Sequence, residues 1–389
     1  MPSLVYVLGV GMTPVAEHWE ISLRELALQA MRQAMADAGG IRPQALYVAN
    51  TLSPILSGQT HLGALLADFA GFEGIEAVTV EAAGASGGMA FRQACLALEA
   101  GGAETAMVVG VEKVTDGVGS GLDAALSTWS DADYEAVHGL TATSQAALVM
   151  RRYLHEHGAP PDALAGFSIT AHGNAVANPN AMFRRAITLE EYQQAGMLSD
   201  PVNLYDAAPL ADGAAAILLG ASSVARLPAR PSVRVLSTAA STSRMAVHDQ
   251  DDPLSLPAAA SSAEGALAQA GIARDQVDLF EIHDSFSIYA ALALEAAGYA
   301  QRGQGWQLAR DGAIAREGSI PVLTFGGSKA RGEVGGATGV YQVAEVALQL
   351  QGRGEVNQIP GARLGMAQCL GGAGATAATT ILGVVDGEA

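Results

Sequence analysis

Between Gly84 and Gly101 the chain reads GASGGMAFRQACLALEAG, and Met89, Phe91, Ala94, Cys95, Leu96 and Leu98 leave a helix there almost no polar face. Residues 336–352, GATGVYQVAEVALQLQG, repeat the pattern with Val340, Val343, Ala344, Val346, Ala347 and Leu348. A helix that is apolar nearly all round must be covered on every side. Both stretches open with G-A-[S/T]-G and close on Gly. Each is followed by a strand-like run, AETAMVVGVE after the first and ARLGMAQCLGG after the second.

A second pair of segments matches in the same way. After an opening strand, SLVYVLGVG, Ser22 and Glu25 have capping-box spacing ahead of a helix to about Ala38, and Gly39 supplies its stop. IRPQALYVAN then alternates through Leu46 and Val48. Residues 261–283, SSAEGALAQAGIARDQVDLFEIH, again give S-x-x-E, an Ala-rich helix, a polar turn and alternation at Val277 and Leu279. The chain reads as a duplicated α/β unit. One fully apolar helix per half predicts a central helical layer between two sheets, with outer helices beyond them: five layers, α/β/α/β/α. The halves are expected at 1–225 and 230–389, joined by ASSVARLPARPSVRV. The more polar stretch of about 113–200 is expected to be an inserted loop region over the active face.

Charge and composition narrow the partners. A formal charge of −18 with scattered Lys and Arg argues against nucleic acid or an anionic membrane surface. Two cysteines, Cys95 and Cys369, cannot build a disulfide framework or a cysteine zinc site, and the eight histidines show no metal-ligand spacing. The start has no basic n-region, and no run of ~18 apolar residues could span a bilayer. These features lead to the expectation of a soluble, cytoplasmic protein.

Gly84, Ser86 and Gly88 also spell G-x-S-x-G, the nucleophile elbow of serine hydrolases. The duplication argues against that reading. Ser86 corresponds to Thr338, and a Ser or Thr in the first turn of a helix more often caps backbone N–H groups. GVGMTP lacks the dinucleotide fingerprint, and GGSKARG lacks phosphate-loop spacing.

The duplicated halves, ASGGMA, GGSKARGEVGGATG, EIHDSF, ADGAAA and QCLGGAGATA together resemble the thiolase superfamily, most closely its sterol-carrier-protein-type branch. The resemblance implies a duplicated thiolase fold and an acyl-CoA thioester as substrate, with no permanently bound cofactor. It implies a homodimer or homotetramer, and in thiolase-like proteins without the cysteine a small partner of oligonucleotide-binding-type fold. The family's C-x-S-G is here Gly84-Ala85-Ser86-Gly87, and its G-H-P is Gly332-Glu333-Val334. The nucleophilic cysteine and its activating histidine are therefore both replaced.

Carried over position by position, the resemblance assigns the α-proton to Cys369, a pocket role to His283 and Glu333, and an oxyanion hole to the backbone N–H groups of Gly84 and Gly371. Asp284 could orient the His283 ring. Arg184 and Arg185 are candidates for the anionic part of coenzyme A. Cys95 and Tyr341 are expected in the core. The implied activity is that of the acyl-CoA C-acyltransferase family, without a cysteine acyl-enzyme because Gly84 replaces the nucleophile. The alternatives are a retro-aldolase working with a small partner and a non-catalytic acyl-CoA-binding scaffold.

Overall fold

The computed structural model describes residues 3–117, 119–224 and 231–385. Part of the expected linker, 225–230, lies outside them. Among the described residues eleven strands form in chain order: β1 (Val5–Met12), β2 (Ala45–Ala49), β3 (Glu76–Val80), β4 (Thr105–Glu112), β5 (Met197–Ser199) and β6 (Val202–Asn203). There follow β7 (Gly213–Ala221), β8 (Ser232–Thr242), β9 (Leu279–Glu281), β10 (Leu364–Gly371) and β11 (Thr376–Val385). Nine of them make one sheet in the order β3-β2-β4-β7-β1-β8-β11-β10-β9, and β5 pairs only with β6.

The duplication is visible in that order. The first half runs β3-β2-β4-β7-β1, and the second runs β9-β10-β11-β8 with a parallel bridge from Val322 to Phe280 standing where β3 would be. Pairing senses match as well: β2 is parallel to β4 as β9 is to β10, and β4–β7 and β10–β11 are antiparallel. The halves join through a short antiparallel contact, Val5 with Val235 and Tyr6 with Arg234.

Three apolar layers separate the helices from the sheet. The Leu23–Asp37 and Leu62–Phe69 helices pack Leu26, Met31 and Leu66 on the outer face of the first half, against Leu46, Val48 and Met107. Ser22 and Glu25 form the expected capping box at the first of them. The Ser86–Glu99 and Thr338–Leu350 helices lie in the middle, where Phe91, Cys95, Val340, Tyr341 and Val346 share a core with Val108, Ile217 and Ala367. The Pro257–Ala270 and Ser287–Ala296 helices cover the second half through Ala263, Ala266 and Leu292. The two central helices touch at Gly87, where a Cβ would stand 2.5 Å from the Val340 nitrogen. Only glycine lets them approach so closely.

The stretch 113–200 differs from the expected loops. It carries helices at Ser120–Ser127, Ala142–His157 and Ala165–Ala175. Its polar composition misleads because these helices and the turn after the last of them bury polar groups with partners: Asn174 donates to the Leu323 carbonyl (2.9 Å), and Asn178 to that of Phe325 (2.8 Å). Among the described residues no helix is long and apolar enough to cross a membrane.

Candidate active site

The two duplicated turns meet at the head of the central helices. In the first, Ala83 adopts φ 50° and donates its N–H to Glu81 Oε1. Ser86 Oγ accepts from Ala82 N (2.8 Å) and donates to the Ala83 carbonyl (2.7 Å). Thr338 does the same in the second half, accepting from Val334 N (3.1 Å) and donating to Glu333 Oε1 (2.7 Å). Both hydroxyls are structural, but neither caps the helix that follows it. They brace the turn before it. Ser86 is fully buried, so the hydrolase elbow finds no exposed hydroxyl.

Gly84 and Gly371 are brought together: the β10 end packs on the 83–85 turn so tightly that a Cβ on Gly371 would lie 2.4 Å from the Ala82 carbonyl oxygen. A Cβ on Gly84 would lie 2.6 Å from the Leu370 carbonyl oxygen and 3.1 Å from His283 Cε1. The space a side chain at Gly84 would need is thus taken by a neighbouring carbonyl and the imidazole.

His283 and Glu333 line one cavity of about 270 Å³ together with Trp129, Gln145, Phe286 and Leu370. Burial lowers the His283 pKa to about 4, with Arg331 and Lys329 also opposing a charged ring, so the imidazole is neutral at pH 7. Its Nδ1 is buried without a partner. An orphaned lone pair costs less than an orphaned N–H, so the favoured tautomer carries the proton on Nε2, as a donor toward Gly84. Burial also pushes Glu333 above the usual carboxylate range, partly offset by the Thr338 hydrogen bond, and its Oε2 has no partner. The cavity therefore pairs a neutral imidazole with a carboxyl group whose affinity for a proton is raised by burial.

Other expected roles are revised by the geometry. Cys369, like Gly84 and Gly371, is not among the residues lining the cavity, whereas Leu370 and Gly372 are. The thiol lies between Gly88 and Gly339, within 3.6 Å of the Ala85 carbonyl, and burial raises its pKa to about 11. Asp284 does not hold the His283 ring. Its carboxylate accepts from the backbone N–H groups of Ser328 (2.6 Å) and Lys329 (3.1 Å) and fixes that turn instead. Cys95 and Tyr341 are core residues, as expected.

Arg184 and Arg185 line a second cavity of about 460 Å³ that shares Leu198, Ala207 and Ala208 with the first. Lys329, which sequence reasoning passed over with GGSKARG, sits in its wall. The signal that could have found it is a lysine in a glycine-rich stretch between apolar runs.

Comparison with known proteins agrees with this architecture. The family model for the thiolase N-terminal domain matches residues 5–223, and that for the thiolase C-terminal domain-like family matches 239–384. The chain belongs to the thiolase family. It is 38% identical over 97% of its length to an acetyl-CoA acetyltransferase of Methanothermobacter thermautotrophicus, covering 98% of that protein. It is 27% identical over 91% of its length to a 17-hydroxy-3-oxo-4-pregnene-20-carboxyl-CoA lyase of Mycobacterium tuberculosis, covering 93% of that protein. Among solved structures, the Ltp2-ChsH2(DUF35) aldolase superposes with a TM-score of 0.84 at 24% identity over 98% of both chains. The duplicated five-layer α/β/α/β/α arrangement is the thiolase fold, and its relatives include acyltransferases and steroid aldolases.

Proposed function

We propose that this thiolase acts on an acyl-CoA thioester without a cysteine acyl-enzyme, and that its reaction is aldol-type cleavage or formation of the bond between the α- and β-carbons. The observation that carries this reading is the environment of Gly84: it has no thiol, and the space a thiol's Cβ would need is occupied by Leu370 and His283. In a Ser-His-Asp enzyme, removing the nucleophile alone costs ~10⁶ in rate. Ping-pong thiolysis is therefore expected to be absent.

Cleavage of a β-hydroxyacyl-CoA needs one base and one oxyanion site. The Glu333 carboxylate takes the β-hydroxyl proton. The Cα–Cβ electron pair moves onto the thioester as an enolate, and a carbonyl compound leaves. His283 Nε2–H stabilises the developing oxyanion in this reading, with the backbone N–H groups of Gly84 and Gly371 beside the cavity as the further donors. The proton held by Glu333 then returns to Cα and releases the shortened acyl-CoA, so no cofactor is consumed. Arg184 and Arg185 would take the anionic end of coenzyme A, since a chain of charge −18 must supply local cations.

A protein partner fits the same face. Phe183, Met197, Leu198 and Leu204 are 43%, 58%, 51% and 56% exposed, and all but Met197 line the second cavity. Such a cluster favours coverage by another chain, and the Ltp2-ChsH2(DUF35) aldolase carries a second protein in its name. We read the chain as two thiolase halves, 1–225 and 230–389, in a cytoplasmic homodimer or larger assembly.

The test uses the purified chain with and without a co-expressed small partner. Incubation with acetyl-CoA should leave its intact mass unchanged. A panel of β-hydroxyacyl-CoA thioesters should release a carbonyl product and a shortened acyl-CoA in equal amounts. A stable acyl adduct mapped to residues 81–95 would overturn the reading. Binding without turnover under both conditions would favour the scaffold alternative.

A further inference from the structure

Lys329 is 1% exposed, yet no carboxylate among the described residues lies within ion-pair distance of its ammonium group. Its one hydrogen bond is to the Asp206 backbone carbonyl (2.6 Å). Buried charges in proteins are normally paired, because desolvation is costly. Here burial lowers the lysine pKa to about 8, with Asp284, Asp206 and Glu333 acting from further away to keep it charged.

The cavity it lines is unusual for this chain. Lys329, Arg184 and Arg185 contribute three cations, His172 adds an imidazole, and no Asp or Glu is among the lining residues. Arg185 is partly neutralised by Glu191, and Arg184 and Arg185 are exposed at the rim. Lys329 is the inner cation. It stands close enough to the reaction cavity for its charge to act on His283 and Glu333. Leu198, Ala207 and Ala208 are common to both cavities.

The backbone around the lysine is held firmly. Gly326 and Gly327 have φ of 108° and 53°, and a Cβ on Gly327 would meet Asp284 Oδ2 at 2.6 Å. Asp284 in turn accepts the N–H of Lys329 itself. A turn anchored in this way sets the ammonium at a fixed place, which suits recognition of a point charge.

We propose that Lys329 recognises a carboxylate carried on the acyl group, so that this thiolase selects dicarboxylyl-CoA thioesters over neutral acyl-CoA. The inference rests on the reading that an acyl-CoA thioester occupies the His283–Glu333 cavity. The phosphates of coenzyme A share the anionic chemistry but are set apart from the sulfur by the whole pantetheine arm. They match the rim arginines, whereas a carboxylate a few bonds from the thioester matches the inner lysine.

Calorimetric titration of the full chain with free CoA, butyryl-CoA and succinyl-CoA tests this, since the two thioesters have equal carbon counts and differ in charge. Succinyl-CoA should bind about ten-fold or more tightly than butyryl-CoA, the scale of a charge-assisted contact. Lys329→Met should abolish that difference, and Lys329→Arg should restore part of it. Arg184→Ala should weaken all three ligands alike. Equal binding of the two thioesters to the wild-type chain overturns the proposal, and this arm does not depend on any variant folding. So does a Lys329→Met variant that keeps the preference, or one that weakens all three ligands equally. Absence of binding by every CoA species would instead overturn the reading of the site itself.

Discussion

Restoring the lost thiol tests the central geometry of this site. In Gly84→Cys the new Cβ stands 2.6 Å from the Leu370 carbonyl oxygen, about 0.9 Å inside the ~3.5 Å optimum for non-bonded heavy atoms. The oxygen is backbone, in a strand paired along its length with β11, so it cannot rotate away as a side-chain end could. His283 at 3.1 Å blocks a shift in the other direction. Overpacking of this kind costs ~1–3 kcal/mol. At ~2 °C per kcal/mol for a large chain, Tm should fall by about 2–6 °C.

Gly84→Ala carries the same Cβ and should fall equally, which separates steric cost from thiol chemistry. The added thiol would sit at the head of the Ser86–Glu99 helix, which lowers its pKa, but a negative charge on Glu333 would oppose the thiolate. Each pKa unit so lost costs about ten-fold in thiolate at neutral pH. Thiolysis of acetoacetyl-CoA should therefore stay near background in Gly84→Cys. It should rise by at least about ten-fold in the double variant with Glu333→His, which removes the charge and supplies a base. Unchanged Tm in both single variants would refute the steric argument. Equal thiolysis by the single and double variants would place Glu333 outside the reaction.

Three further outcomes follow from other parts of the molecule. His283 has a folded pKa of about 4 against an ordinary value near 6.5, so the unfolded chain binds more protons between those values and His283 costs stability as pH falls through that window; His283→Asn should lose less Tm than the wild type between pH 7 and pH 4.5, and an identical loss would mean a solvated ring. Ser86→Ala removes the partner of the Ala82 N–H and should cost ~1–3 kcal/mol in denaturant melts; labelling of Ser86 by a serine-directed phosphonate would revive the hydrolase reading. The β3 edge leaves Val78 39% exposed, and unprotected edges tend to pair, so light scattering should give a dimer or larger, with Val78→Lys shifting it toward the monomer; a ~39 kDa species for the wild type at micromolar concentration would count against the assembly.

Local pattern was enough to determine the layers. A helix apolar on every side can exist only between two covered surfaces, and two such helices with matching flanks require matching strand layers, which the structure joins into one nine-stranded sheet through β1 and β8. The capping box at Ser22 and the core positions of Cys95 and Tyr341 were legible for the same reason: each depends on neighbours within one or two turns or on hydrophobicity alone. The site was legible only in part. Strand alternation makes Cys369 and Leu370 point to opposite faces, but which face meets the cavity is decided by how the second half's strand packs on the first half's turn. Asp284 adjoins His283 in sequence, yet its carboxylate turns to the amides of Ser328 and Lys329, because those buried N–H groups have no other acceptor at hand. The helices of 113–200 were hidden by polar residues whose hydrogen-bond partners lie far away in the chain. Lys329 needed tertiary structure most of all: a lysine in sequence is by default a solvated charge, and only the packed chain shows it buried, unpaired and facing a cavity without acids.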